Sequence, residues 1–307
     1  MPRKTVLCTA ILLASTAPAP AQPLPPGAEA ISLRGVPLFA PELSAAVRDG
    51  HLARLEEARQ LVYANPADAD ALIWWGRRTA YLGRYRDALA IFSAGIARHP
   101  ADARMYRHRG HRWLTVREFD RAIDDFVHAS RLVFGQPDEI EPDGLPNARG
   151  IPTSTLQSNI WYHLALAHYV KGDFDKALPA WREGMQVSTN PDMMVATSYW
   201  LYMTLRRMGR DADAARVLEP ITPELEIIEN GAYHRLLLLN KGLLAEADFA
   251  LRTGDALQDA TTGYGLGHWH YLNGRREQAY RIWERVLAGG NWASFGYIAA
   301  EAEVARR

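Results

Sequence analysis

Apolar residues recur along this chain at helical spacing, in paired runs divided by short polar turns. Gly83-x-Tyr85-x-x-Ala88-x-x-x-Phe92 is followed by Phe119-x-x-Ala122-x-x-x-Phe126-x-x-Ala129. Gly172-x-Phe174-x-x-Ala177-x-x-x-Trp181 and Gly209-x-x-x-x-Ala214-x-x-x-Leu218 repeat the pattern. Fainter copies are Gly242-x-Leu244-x-x-Ala247-x-x-x-Leu251 and Gly274-x-x-x-x-Ala279-x-x-x-Trp283. Ala88 and Ala122 lie 34 residues apart. A period of this size predicts a stack of helical hairpins, all-α and without a sheet, in which each unit buries its face on the next.

The key alanines also locate an irregularity. The step from Ala122 to Ala177 is 55 residues, whereas the later steps are 37, 33 and 32. The excess falls at about residues 134–155, rich in Gly and Pro, and predicts an inserted loop. Ser154-x-x-Gln157 is a capping-box pattern that restarts the helix, which favours a structured loop. Residues 22–40 read as an extended lead-in. Two helices are expected in 41–68, the first opened by Pro41-Glu42 and ended at Gly50, the second carrying Leu52, Leu55, Ala58 and Val62. They form a cap on an array over 69–307. A last helix from Trp292, with Phe295, Ile298, Ala299 and Ala302 on one face, covers the final repeat.

The repeat resembles the tetratricopeptide repeat, in which two antiparallel helices carry small residues where they cross and large ones where they pack. Ala88 and Ala122 match the crossing, and Tyr85, Phe92, Phe119 and Phe126 the large positions. The resemblance covers roughly residues 69–287 and implies an α-solenoid with capping helices at both ends. The phrases 70–100, 153–173 and 292–306 resemble exported bacterial tetratricopeptide proteins, which implies a localisation but no mechanism.

Composition narrows the partners. The chain has 35 basic and 35 acidic residues, without the basic excess of a nucleic-acid binder. Arg3-Lys4, the apolar run 5–16 and Ala19-Pro20-Ala21 predict a secretory signal over 1–21, cleaved before Gln22, and so a periplasmic or secreted protein. Cys8 is the only cysteine, so the mature chain would have no disulfide and no thiol nucleophile. No later stretch is long and apolar enough to span a membrane.

Candidate chemistry lies on the first helix of each hairpin. About Arg104–Val116, Tyr106, Gly110 and Trp113 share the core side, while Arg104, Arg107, His108, His111 and Thr115 fall opposite. Matching positions elsewhere hold Trp74 and Arg77, Tyr162 and His163, Tyr199 and Trp200, and Tyr264 and His268. Water-facing surfaces rarely collect such aromatics, and Trp, Tyr, Arg and His are the composition of a binding surface. These twelve residues are therefore expected to line a concave ligand groove. His108-x-x-His111 resembles half a zinc site, but Arg104, Arg107, Arg109 and Arg112 repel a cation, so neither metal nor other cofactor is expected. The chain lacks Gly-x-Ser-x-Gly and a phosphate-cradling glycine loop. The acids Asp138, Glu139, Glu141 and Asp143 can fold over the basic helix.

Two functions follow from this reading. The first is an exported scaffold that captures a peptide or protein partner, with Arg77 and Arg107 forking onto carboxylates. The second is a glycan-binding or glycan-processing protein using the same groove, with a His and a carboxylate as acid–base pair if it is an enzyme. An open, long groove favours the first, and a pocket closed by the loop favours the second.

Overall fold

The computed structural model describes residues 24–250 and 253–307. The expected signal sequence and Leu251 lie outside the described residues. The array consists of antiparallel helices in chain order. They are α1 (Ala45–Ala64), α2 (Ala69–Tyr81), α3 (Tyr85–Arg98), α4 (Ala103–Thr115), α5 (Phe119–Leu132), α6 (Leu156–Lys171) and α7 (Phe174–Gln186). There follow α8 (Pro191–Arg207), α9 (Asp211–Leu218), α10 (Gly231–Lys241), α11 (Ala256–Leu272), α12 (Arg276–Leu287) and α13 (Phe295–Ala305). The hairpins α2/α3, α4/α5, α6/α7, α8/α9 and α11/α12 stack on one another as the repeat pattern requires.

Small residues sit where the helices cross. A Cβ on Gly76 would lie 2.5 Å from the Phe92 ring, and one on Gly110 2.9 Å from Phe126. Ala88, Ala122, Ala177, Ala214 and Ala279 have no exposed surface. The turns inside the hairpins use left-handed glycines at 83, 172, 209 and 274. Asp68, Asp102 and Asn190 cap the following helices through their side chains.

Five details differ from the expectation. Residues 24–40 are not simply extended: Ala28–Ile31 (β1) and Pro37–Phe39 (β2) pair as an antiparallel hairpin, so the chain has a small sheet. The cap is a single helix, because Gly50 lies mid-helix, where a glycine costs only about 1 kcal/mol and does not end it. The capping box at α6 is Thr155 with Ser158, one residue beyond Ser154 and Gln157. The copy beginning at Gly242 does not form a second helix; α10 ends at that glycine and only a 3-10 turn, Glu246–Asp248, follows. Finally, α13 begins at Phe295 and does more than cover the last repeat.

Helix α13 packs on α11 and α12 and also reaches back to α6. Ile298, Ala299 and Ala302 are buried, and so are Glu301 and Glu303. Glu301 meets Arg117 at 2.9 Å, Glu303 meets Arg207 at 2.5 Å, and Arg306 donates to the Val170 carbonyl at 2.6 Å. The β1/β2 segment touches the C-terminal part: Leu33 N donates to Glu301 at 3.3 Å, and Trp292 Nε1 to the Phe39 carbonyl at 2.7 Å. The C-terminal helix is thus held by both halves of the array.

Candidate functional site

The inserted loop, residues 134–155, is anchored at its base by reciprocal backbone bonds, Glu141 N to Ser154 O at 3.1 Å and Leu156 N to Glu139 O at 2.9 Å. From there it crosses the first helices of the array. Arg77 donates to the Pro142 carbonyl at 2.8 Å and Arg78 to the Gly144 carbonyl at 2.7 Å. Further along, Asn147 donates to Glu229 at 2.7 Å. Beneath the loop, Arg107 Nε lies 2.8 Å from Glu141 Oε2, an ion pair whose approach is off the hydrogen-bond axis. The loop therefore does fold over the basic helix, through one of its four acids.

Loop end, α13 and the first helices line a partly open central pocket of about 360 Å³. Arg107 and His111 reach it from α4, and Asn159, Tyr162 and His163 from α6. Thr153 and Ser154 come from the end of the loop, Thr197 from α8, Tyr233 from α10 and Phe295 from α13. A larger depression of about 630 Å³ lies outside the loop, around 99–104 and 136–139. There Arg104 pairs with Asp102 and Asp70, and Asp138 accepts from Gln157 N, while His99 Nε2 is buried without a partner.

The pocket wall is more apolar than polar, and its charged side chains are Arg107, paired with Glu141, and Glu229, which has hydroxyl and amide partners but no cation among the described residues. Burial, followed by nearby arginines or histidines, holds His111 and His163 well below the ordinary histidine value, so both are neutral at pH 7. His163 Nδ1 lies 2.5 Å from the Asn159 carbonyl, so its proton is on Nδ1 and Nε2 is an acceptor. Burial pushes the Tyr162 hydroxyl well above its usual range, with Tyr233 adding to the rise. That hydroxyl accepts from Trp200 Nε1 at 2.7 Å and lies 3.1 Å from the Tyr233 hydroxyl. Glu229 accepts from Thr153 Oγ1 at 2.5 Å, while Asp192 takes the backbone N–H groups of Ile228, Glu229 and Asn230 and fixes that wall.

The twelve groove candidates separate into three sets. Arg77, Arg107, His108, His111, Tyr162 and His163 line the central pocket or the smaller cavity beside it. Trp74 and Arg104 stay at the outer edge, where the Trp74 ring lies 4.3 Å from the Arg77 guanidinium and Arg104 is tied to Asp70 and Asp102. Tyr199, Trp200, Tyr264 and His268 are core residues, each at most 1% exposed. They were expected opposite the core because the wheel of an edge helix was applied to α8 and α11. Those helices are covered on nearly every side, and Trp200 packs against Trp181, Tyr169, Tyr233 and Tyr264.

Several lining residues were not singled out from sequence: Asn159, Thr153, Thr197, Tyr233 and Phe295. Phe295 was read only as an apolar position of a cap; nothing in the chain signals that this cap folds into the concave side. No carboxylate bonds His111 or His163 among the described residues; their polar partners are Arg107 Nη1 at 3.3 Å and the Asn159 carbonyl.

No protein-family model and no curated protein sequence matches the chain. Solved structures of low sequence identity share its helical-repeat character. One is a tetratricopeptide repeat protein from Parabacteroides merdae, 13% identical, covering 84% of this chain and 93% of that one at a TM-score of 0.49. Another is YrrB, described as a tetratricopeptide protein with an unusual peptide-binding site, 15% identical, covering 76% and 92% at a TM-score of 0.44. A third, MamA, is 14% identical and covers 65% and 93% at 0.43.

Proposed function

We propose that this protein is an exported helical-repeat binding scaffold that takes the free end of a peptide or protein chain into the central pocket. One observation carries the reading: the loop crosses α2 and α4, and Phe295 of α13 stands on the same side, so the concave face is narrowed to a partly open pocket. A narrowed pocket accepts an end more readily than an internal segment, which needs an exit. Asn159, Thr197, Tyr162 and Tyr233 supply donors and acceptors for a peptide backbone, and Phe295 and Met193 supply apolar area. Periplasmic or extracellular location rests on the N-terminal sequence; mass spectrometry of exported protein should find a chain beginning at Gln22, and a retained Met1 would refute it.

A second reading is a glycan end in the same pocket. It is favoured by the hydroxyls, amides and uncharged imidazoles of the lining, with Glu229 as a carboxylate acceptor, which suit a hydroxyl-rich ligand. Calorimetry with free-ended, end-blocked and cyclised peptides, beside an array of oligosaccharides, separates the two. Free-ended peptides should bind and cyclised ones should not, and Tyr162→Phe with Tyr233→Phe should weaken binding at least tenfold. Equal binding of cyclised peptides would overturn the end-binding account, and oligosaccharide binding alone would replace the first reading by the second.

A further inference from the structure

Beside the central pocket, and sharing Arg107 and His111 with it, lies a smaller cavity of about 110 Å³ between α2, α4 and the loop. Its walls carry the guanidinium groups of Arg77, Arg107 and Arg112 and the rings of His108 and His111, with Glu141 as the single carboxylate. Arg107 pairs with Glu141 and Arg77 lies near Asp143 outside the cavity, so Arg112 is the guanidinium without a carboxylate nearby.

Other enclosed arginines in this protein are balanced. Arg117 has Glu301 at 2.9 Å, Arg207 has Glu303 at 2.5 Å, and Arg109 has Asp125 at 2.6 Å. Arg112 pairs with no carboxylate among the described residues; its guanidinium lies 5.6 Å from the Tyr85 ring. Enclosure, with Arg107 and Arg77 nearby, lowers Arg112 to about 10 despite the opposing phenols of Tyr85 and Tyr81, so it stays charged at neutral pH. Arg112 is half-buried and keeps some solvent contact, so its charge is tolerated, but a partly desolvated guanidinium without a carboxylate still gains from an anion brought beside it.

The histidines are set to assist. Arg107 Nη1 lies 3.2 Å from His108 Nδ1 and 3.3 Å from His111 Nδ1. Guanidinium can only donate, so both Nδ1 atoms accept. Burial and the arginines keep both rings neutral, which puts each remaining proton on Nε2 as a donor.

We propose that this cavity binds a tetrahedral oxyanion, phosphate or sulfate, free or carried as an ester on a larger ligand, held by Arg112, Arg107 and Arg77. The charge argues for this class over a carboxylate, since a dianion gains more than a monoanion from three neighbouring guanidinium groups, one of them without a carboxylate partner. The shape agrees: donors arrive from α2 and from two positions on α4, around the group rather than in the plane of one fork. Glu141 is the internal competitor, because its carboxylate occupies Arg107. The inference does not depend on what fills the larger pocket, although a ligand spanning both would place its anionic group here.

The test is titration calorimetry of the full folded protein at pH 7 with sodium phosphate, sodium sulfate, phosphoserine and acetate, at constant ionic strength. Phosphate, sulfate or phosphoserine should bind one per chain, and acetate at least tenfold more weakly. Arg112→Gln should weaken oxyanion binding at least tenfold, and Glu141→Gln should strengthen it severalfold. Arg104→Gln, outside the cavity, should leave it unchanged. Arg112→Lys keeps the charge and should retain part of the affinity if the glutamine variant does not fold. Tighter binding of phosphoserine than of phosphate assigns the ester, and the reverse assigns the free ion. No binding of any tetrahedral anion, acetate binding as tight as phosphate, or an Arg112→Gln affinity equal to wild type would overturn the proposal, while loss of peptide-end binding alone would not touch it.

Discussion

Arg117 and Glu301, 184 positions apart, meet at 2.9 Å with their side chains only 3% and 2% exposed. Arg117 stands where the other hairpins place a left-handed glycine, and its own φ is 69°. A non-glycine residue in that region costs roughly 1–2 kcal/mol. The position keeps its arginine because the side chain also donates to the Thr115 and Trp292 carbonyls and neutralises a buried carboxylate on α13. Arg117→Gly removes the backbone cost but leaves Glu301 enclosed without its cation. Breaking the pair costs about 3–5 kcal/mol, so after the backbone relief the variant should be less stable by about 1–4 kcal/mol in chemical denaturation. A more stable glycine variant would show that the pair does not hold α13.

The hairpin array was legible because it rests on local rules: Ala88 and Ala122 must be small at a crossing, and Phe92 and Phe126 must be large beside it. The insertion was legible from spacing alone. The narrowing of the concave side was not, because Glu301, Glu303 and Phe295 find partners through the curvature of the whole stack, which no local pattern encodes. The same curvature buried Tyr199, Trp200, Tyr264 and His268. Arg107, His108, His111, Tyr162 and His163 line the cavities because α4 and α6 present those faces inward beneath the loop.

Trp200 has no exposed surface and stacks 5° from parallel with Trp181 at 6.4 Å between ring centroids. Its indole also fixes the Tyr162 hydroxyl. Trp200→Ala should cost about 3–5 kcal/mol as a core truncation. A thermal melt indistinguishable from wild type would return Trp200 to the groove surface that its sequence position suggested.

Ala122 is fully buried at the α4/α5 crossing. Ala122→Leu forces extra methylene groups into that contact and should cost roughly 1–3 kcal/mol. An unchanged melting temperature would mean that the crossing tolerates a larger residue and that the repeat packs more loosely than described.

Stability should fall on mild acidification. Burial, reinforced by nearby arginines, holds His108, His111, His163 and His268 well below 6.5 in the folded protein. The unfolded chain takes up protons first, so stability is full above about pH 6.5 and declines below it, by up to about 1.4 kcal/mol per group per pH unit. Glu29, Asp125 and Asp143 are raised by burial and act in the opposite sense, but in the lower carboxylate range. Melting curves at pH 7.5, 6.5 and 5.5 should show the decline, and His268→Gln should flatten it. A melting temperature independent of pH across this window would contradict the neutral buried histidines.

The narrowed concave side depends on α13 being an interior element. Native-state hydrogen exchange, read residue by residue, tests this most directly. The account predicts that the amides of Ile298, Ala299, Ala300 and Ala302 exchange as slowly as those of Leu164, Ala165 and Leu166 in α6, because both sets lie in one buried cluster. Rapid exchange of α13, as in a fraying terminal helix, beside a protected α6 would contradict it and reopen the groove.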